Sequence, residues 1–227
     1  MFNFFTINMD NPFLIGFLIS VLGLFLLLIN TLLFVWLKKN IATNITFNLL
    51  VVFLISYFII EFICNILGFL KPASNIFVSH FAFNIQFILL SAFFYKLFNQ
   101  SGIKKMIIVA YVIYIIINGL LYFLRPQLFW EFNLFEISYI SFAIIGYTLI
   151  HIYNNLGENK KYFYFTIGLS TYMLSSSLIF LTGNIELVFY ENPYIDIWVF
   201  NSLFFIVYQI LIFKEWRYIR QVNANNN

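Results

Sequence analysis

Glu61 and Asn65 stand four residues apart, and so do His80 and Asn84, within a stretch that is otherwise almost wholly apolar. A spacing of four puts both members of each pair on one helix face. Between the pairs lies Lys71-Pro72, which reads as a tight turn joining two helices. If those helices end at Leu70 and begin at Asn75, Asn65 and His80 lie roughly 7 Å from the turn and Glu61 and Asn84 roughly 13 Å from it. A carboxylate, an imidazole and two amides at matched depths could hold a polar ligand or take part in proton-linked chemistry. The plainer reading of the same residues is packing: a hydrogen-bonded carboxyl, an interfacial histidine, and amides that tie helices together.

Further polar residues fall at the same end of the chain's helices. Asn118 and Tyr122 approach it on a fourth helix; Glu136, Ser138 and Tyr139 open a fifth; Thr182 and Asn184 close a sixth; Asp196 and Asn201 begin a seventh. If they face inward, they line an open polar vestibule of net negative charge. Glu136 and Asp196 would also be favoured simply as acids at helix N-termini. The candidate ligand-binding set is therefore Glu61, Asn65, His80, Asn84, Asn118, Glu136, Asp196 and Asn201. Gly16, Ser20 and Gly23, and Gly168, Tyr172 and serines 175–177, read instead as seams where helices approach closely. Asn30, Asn48 and Gln209 lie in the other half, with no ionisable partner at their depth.

Several chemistries are excluded by residue type. A catalytic zinc needs about three protein ligands, typically rich in histidine. The chain has 2 histidines, His80 and His151, at opposite ends of their helices and so separated by a bilayer core of roughly 30 Å. There is no G-x-S-x-G elbow for a serine hydrolase, and no lysine within the seventh helix to form a retinal Schiff base. Seven-helix zinc amidases need more histidines than this chain holds. The single cysteine, Cys64, can form neither an internal disulfide nor a cysteine metal site. The scattered basic residues make no nucleic-acid surface. No enzyme, metal or cofactor is expected.

The elements that must position these groups are membrane helices. Hydrophobic residues make up 63% of the chain and charged ones 9%, against about 25% charged in soluble domains. Apolar runs long enough to cross a bilayer recur along its whole length. Spans are expected at about 12–37, 41–70, 75–98, 106–124, 134–153, 162–182 and 194–213, forming one all-α, seven-helix membrane domain over 1–227. Lys38, Lys39, Lys96, Lys104, Lys105, Lys160, Lys161, Lys214, Arg217 and Arg220 fall at one end, and only Lys71 and Arg125 at the other. That bias predicts an external N-terminus and a cytoplasmic C-terminus. The first run is long, lacks a basic n-region and is followed by no A-x-A site, so a retained helix is expected and not a signal peptide. Trp36, Trp130, Trp198 and Trp216 sit near helix ends, as interfacial anchors do. All four prolines, Pro12, Pro72, Pro126 and Pro193, lie at the lysine-poor end, so none breaks a helix at mid-membrane.

Glu61, His80 followed by QFILLSAFFYKLF, Glu136, Gly168-x-x-x-Tyr172 with its serines, and Trp198-x-x-Asn201-Ser202 together form a dispersed pattern. In residues 40–215 it resembles a group of small, uncharacterised seven-helix inner-membrane proteins common in Bacteroidota. Relatives of that kind often carry Glu where this chain has Gln86 and His where it has Asn201. The resemblance implies a bacterial inner-membrane location and a partner such as a sensor kinase. The expectation is a membrane sensor or signalling subunit that binds an extracytoplasmic small molecule or lipid and relays to that partner. A small transporter or channel is the alternative, followed by a membrane-embedded enzyme acting on lipid.

Overall fold

In hydrocarbon every backbone N–H and C=O must find its partner within the chain, so long apolar segments close their hydrogen bonds as helices. The computed structural model describes residues 12–40, 44–70, 76–131, 133–156, 161–189 and 197–225. Among them the regular structure is entirely helical: α1 (Pro12–Asn40), α2 (Ile45–Leu70), α3 (Ile76–Leu97), α4 (Ser101–Leu124), a short 3₁₀ turn (Pro126–Phe129), α5 (Leu134–Asn154), α6 (Phe163–Phe189) and α7 (Ile197–Asn225). Each of the seven α-helices is long and apolar enough to cross a membrane. The chain is thus a multi-pass, all-helical bundle in contact with lipid.

Four helices outrun their expected spans by three residues or more, α1 among them in running on through Lys38 and Lys39 to Asn40. α4 begins at Ser101, ahead of Lys104 and Lys105; α6 continues to Phe189; α7 continues through Lys214–Arg220 to Asn225. Lysines end a hydrophobic run without ending a helix, because their long stems lie along the apolar surface while the ammonium reaches water. The turn expected at Lys71-Pro72 lies outside the described residues.

Helices α1, α2, α3, α5, α6 and α7 pack in a ring, with α7 returning to α1, while α4 leans on the outside against α3 and α5. α4 is the most exposed helix: 17% of its span is buried, against 28–50% in the others. Only Ile107, Tyr114 and Asn118 of α4 are fully covered, a single stripe at helical spacing.

The ring is filled largely by aromatic side chains. Phe93 meets Phe165 and Tyr162 edge-on at 5.4 and 5.2 Å between centroids, and Tyr172 stacks on Tyr208 at 5.5 Å. At the expected small-residue seams a neighbouring helix packs directly over glycine. A side chain at Gly23 would strike the ring of Phe205, and one at Gly168 would crowd Tyr208 and Leu211. Asn30 of α1 donates to both the main-chain and side-chain oxygens of Gln209 on α7, at 2.8 and 3.0 Å. Trp36 and Trp130 are exposed near helix ends, but Trp216 is a packing residue: it is buried, and its Nε1 donates to the Leu33 carbonyl at 3.1 Å. The side chain of Trp198 lies outside those described.

Candidate functional site

The start of α5 is built by its own sequence. Asn133 is the N-cap, and its Oδ1 accepts from the Glu136 main-chain N–H at 3.2 Å. An amide cap followed three residues later by glutamate is a helix-start signature. Here, though, the Glu136 side chain does not turn back to the cap. It is fully buried and faces α3 and α4.

Four donors meet its carboxylate. His80 Nδ1 lies 2.7 Å from Oε2, and the Tyr122 hydroxyl donates to the same oxygen at 2.7 Å. Asn84 Nδ2 donates to Oε1, with the Tyr114 hydroxyl 3.2 Å from it. Tyr114 also reaches Asn84 Oδ1 at 2.8 Å. A relay of amides closes the cluster: Asn118 donates to Tyr114, and Asn133 donates to Asn118, at 3.0 and 3.1 Å. Every one of these groups is buried or half-buried, and each spends its polarity on another member.

The proton count in the pair follows from its partners. His80 Nε2 sits 3.1 Å from the Glu131 carbonyl oxygen, which can only accept, so Nε2 carries a hydrogen. One further proton lies between Nδ1 and Glu136 Oε2. On either atom it leaves the pair with zero net charge, which limits what its burial costs. The position that a serine would occupy opposite Nε2 in a Ser-His-acid triad is held by a carbonyl with no proton to give. The cluster can exchange its internal bonds for those of a polar ligand.

The connection between α4 and α5 covers it. Phe129, in the 3₁₀ turn, stacks on the His80 ring at 5.9 Å, and it contacts Phe77 and Phe81 on α3. His80 is left 5% exposed and Glu136 0%. Turn 126–129, with Glu131 just beyond it, closes over the cluster through the ring contacts of Phe129 with His80, Phe77 and Phe81 and one hydrogen bond to the Glu131 carbonyl.

The eight candidate residues divide. His80, Asn84, Asn118 and Glu136 come together in this cluster. Glu61, Asn65 and Asn201 do not join it, and Asp196 lies outside the described residues. Asn65 turns to α1, where it accepts from Ser20 Oγ at 3.0 Å, and it donates back to the Glu61 carbonyl. Glu61 stands beside the Tyr57 hydroxyl. Tyr57 in turn lies 3.3 Å from the Tyr172 hydroxyl, beside which stand Ser176 and Asn201. The expected rungs between α2 and α3 are therefore not formed. α2 presents its polar face to α1, α6 and α7, while α3 presents its own to α4 and α5. An open vestibule lined by all eight gives way to two separate clusters, the more ionisable one closed.

Tyr114, Asn133 and the Glu131 carbonyl were not anticipated. Tyr114, Asn118 and Tyr122 recur every four residues and so form one polar stripe on α4, the signal that could have exposed the first. A third group was missed altogether. Glu215 of α7 is 0% exposed and accepts the main-chain N–H groups of Tyr162, Tyr164 and Phe165 at 2.6, 3.0 and 3.3 Å. It caps α6 from another helix, and it holds Tyr162 at a φ of 63°, a left-handed conformation that costs a non-glycine residue of order 1 kcal/mol.

Among the described residues no three of His, Cys, Asp and Glu gather where they could hold a metal. No family model, curated protein or solved structure matches the chain.

Proposed function

We propose that the chain is the sensing subunit of a membrane signalling pair. In this reading the lysine-rich end is cytoplasmic, as the distribution of its basic residues implies, and the His80–Glu136 cluster lies near the outer surface of a bacterial inner membrane. An extracytoplasmic small molecule or lipid headgroup displaces the 126–129 lid and takes over hydrogen bonds now made within the cluster. α4 carries the response to a partner in the membrane or cytoplasm, in keeping with the resemblance to proteins that accompany sensor kinases.

One observation carries this reading. α4 is held to the bundle mainly along one stripe, and its polar members Tyr114, Asn118 and Tyr122 all belong to the Glu136 cluster. A helix so lightly held, and tied through the site itself, is an element whose position a ligand can bias through differential contacts.

The test is purification of the full chain from its native membrane through a C-terminal tag. A stoichiometric partner whose output changes with Glu136→Gln is expected. A protein that comes out alone, with no partner, refutes the sensing role.

A transport role is the second reading, and one observation favours it. Asn48, Gln86 and Tyr208 bury polar atoms with no hydrogen-bond partner, which extends polarity into the bundle beyond the Glu136 cluster. Substrate flux into liposomes that is abolished by Tyr208→Phe would decide for transport.

A further inference from the structure

At the lysine-rich end, the start of α2, the end of α3, the end of α5 and the residues before α6 surround a cleft of about 520 Å³. Lys96 and Lys161 line it together with His151, Tyr162, Asn99 and Gln100, and no carboxylate is among its described lining residues. The nearby Glu215 accepts the first N–H groups of α6, and its carboxylate also feels the Lys161 ammonium.

Two buried donors in this wall lack partners. Asn155 Nδ2 lies 2.7 Å from the His151 carbonyl and 2.9 Å from His151 Nδ1. The carbonyl only accepts, so the amide nitrogen must be the atom placed there; its second hydrogen then goes to Nδ1, which must be bare. The ring hydrogen is on Nε2. That atom is buried without a completed hydrogen bond, the Lys161 carbonyl being near it but out of bonding geometry, although His151 as a whole is only 4% exposed. The Tyr162 hydroxyl is likewise buried and unpartnered. Burial, reinforced by the Glu215 carboxylate, holds that hydroxyl above its ordinary titration range, so it remains an O–H.

A buried donor without an acceptor costs about 1–3 kcal/mol. Two of them, beside two ammonium groups and the amides of Asn99 and Gln100, form a wall that offers hydrogens and positive charge and asks for an anion. We infer that this cleft binds a phosphoryl group, carried by a lipid headgroup or free as a phosphate. The tetrahedral oxyanion suits donors that converge from three helix ends, those of α3 and α5 and the start of α6, and the cleft lies where a bilayer places its headgroups. This site is independent of the His80–Glu136 cluster and of the sensing role proposed for it.

The full chain in nanodiscs of phosphatidylcholine doped with phosphatidylglycerol tests the inference, with retained lipid read by native mass spectrometry. Inorganic phosphate, added alone or as competitor, forms the second arm. Lys96→Ala with Lys161→Ala, and separately His151→Phe, should weaken binding by about tenfold or more. Lys38→Ala with Lys39→Ala removes the same charge at the same end, outside the cleft, and should leave binding unchanged. Retention of phosphatidylglycerol that depends on the cleft residues identifies a lipid headgroup; binding of inorganic phosphate with the same dependence identifies a soluble anion. Cleft variants that bind both probes as the unaltered chain does, or a loss equal to that of the Lys38/Lys39 control, overturn the inference. His151→Phe keeps the aromatic contact with Phe98, so a folded variant is expected, and size-exclusion profiles check it.

Discussion

Breaking the His80–Glu136 pair from each side, and then from both, should reveal a coupling that neither partner has alone. His80→Phe preserves the stack on Phe129 but leaves a buried carboxylate with donors only from Tyr122, Asn84 and Tyr114. Loss of one partner from such a pair costs about 3 kcal/mol. Glu136→Met leaves the imidazole bonded to the Glu131 carbonyl and turns Tyr122 onto its Nδ1, but takes from Asn84 Nδ2 one of two acceptors, the His80 carbonyl remaining, while Tyr114 keeps Asn84 Oδ1. That change should also cost about 3 kcal/mol. In the double variant no charge is left unpaired, and the total should be about 4 kcal/mol, a coupling of about 2 kcal/mol. Reversible unfolding in bicelles, followed by tryptophan fluorescence and repeated by steric trapping, measures all four corners of the cycle. Additivity within about 0.5 kcal/mol would refute the pairing, because contacting residues that share a network do not add.

Glu215→Ala should destabilise the bundle by about 3–5 kcal/mol, since three main-chain donors lose their shared acceptor in a buried position; hydrogen exchange at the start of α6 should rise with it. Gly168→Leu should cost about 2–3 kcal/mol by driving α6 away from Tyr208 and Leu211, whereas Gly119→Leu, with nothing near its Cβ, should be close to neutral in the same unfolding assay. In a Cys64→Ser background, Gln127→Cys should react with a membrane-impermeant maleimide in intact cells and Asn99→Cys only after lysis; the reverse pattern would invert the proposed orientation.

Helix number and alternation could be read from the chain because burial in lipid forces length and apolarity on every span. Azimuth could not. Residues such as Glu61 and His80 have apolar neighbours on all sides of their helices, so no hydrophobic stripe marks which face turns inward. Residue type in an apolar setting singled out both His80 and Glu136, but their pairing, 56 residues apart, was not legible. Asn133 and Glu136 carried a local signature at the start of α5, yet the signature foretells a capping box and not a carboxylate delivered to two other helices. Glu215 shows the limit most plainly. It stands in KEWRYIR, which resembles a cytoplasmic tail by composition, and its partners are the backbone of a helix some 50 residues earlier, where no side-chain type reports the need.

The cap that α7 supplies to α6 also orders events during synthesis. The first turn of α6 is complete in sequence when Phe165 leaves the ribosome, but its acceptor is made only about 50 residues later, roughly 3–10 s at ordinary elongation rates. Through that interval the left-handed Tyr162 and three main-chain donors have nothing to close on. α6 and α7 should therefore enter the membrane as a hairpin and lock together, with the last span finishing the one before it. A chain that stalls before Glu215 would present an open helix end to the quality-control machinery, while one released just after it would already carry its own latch.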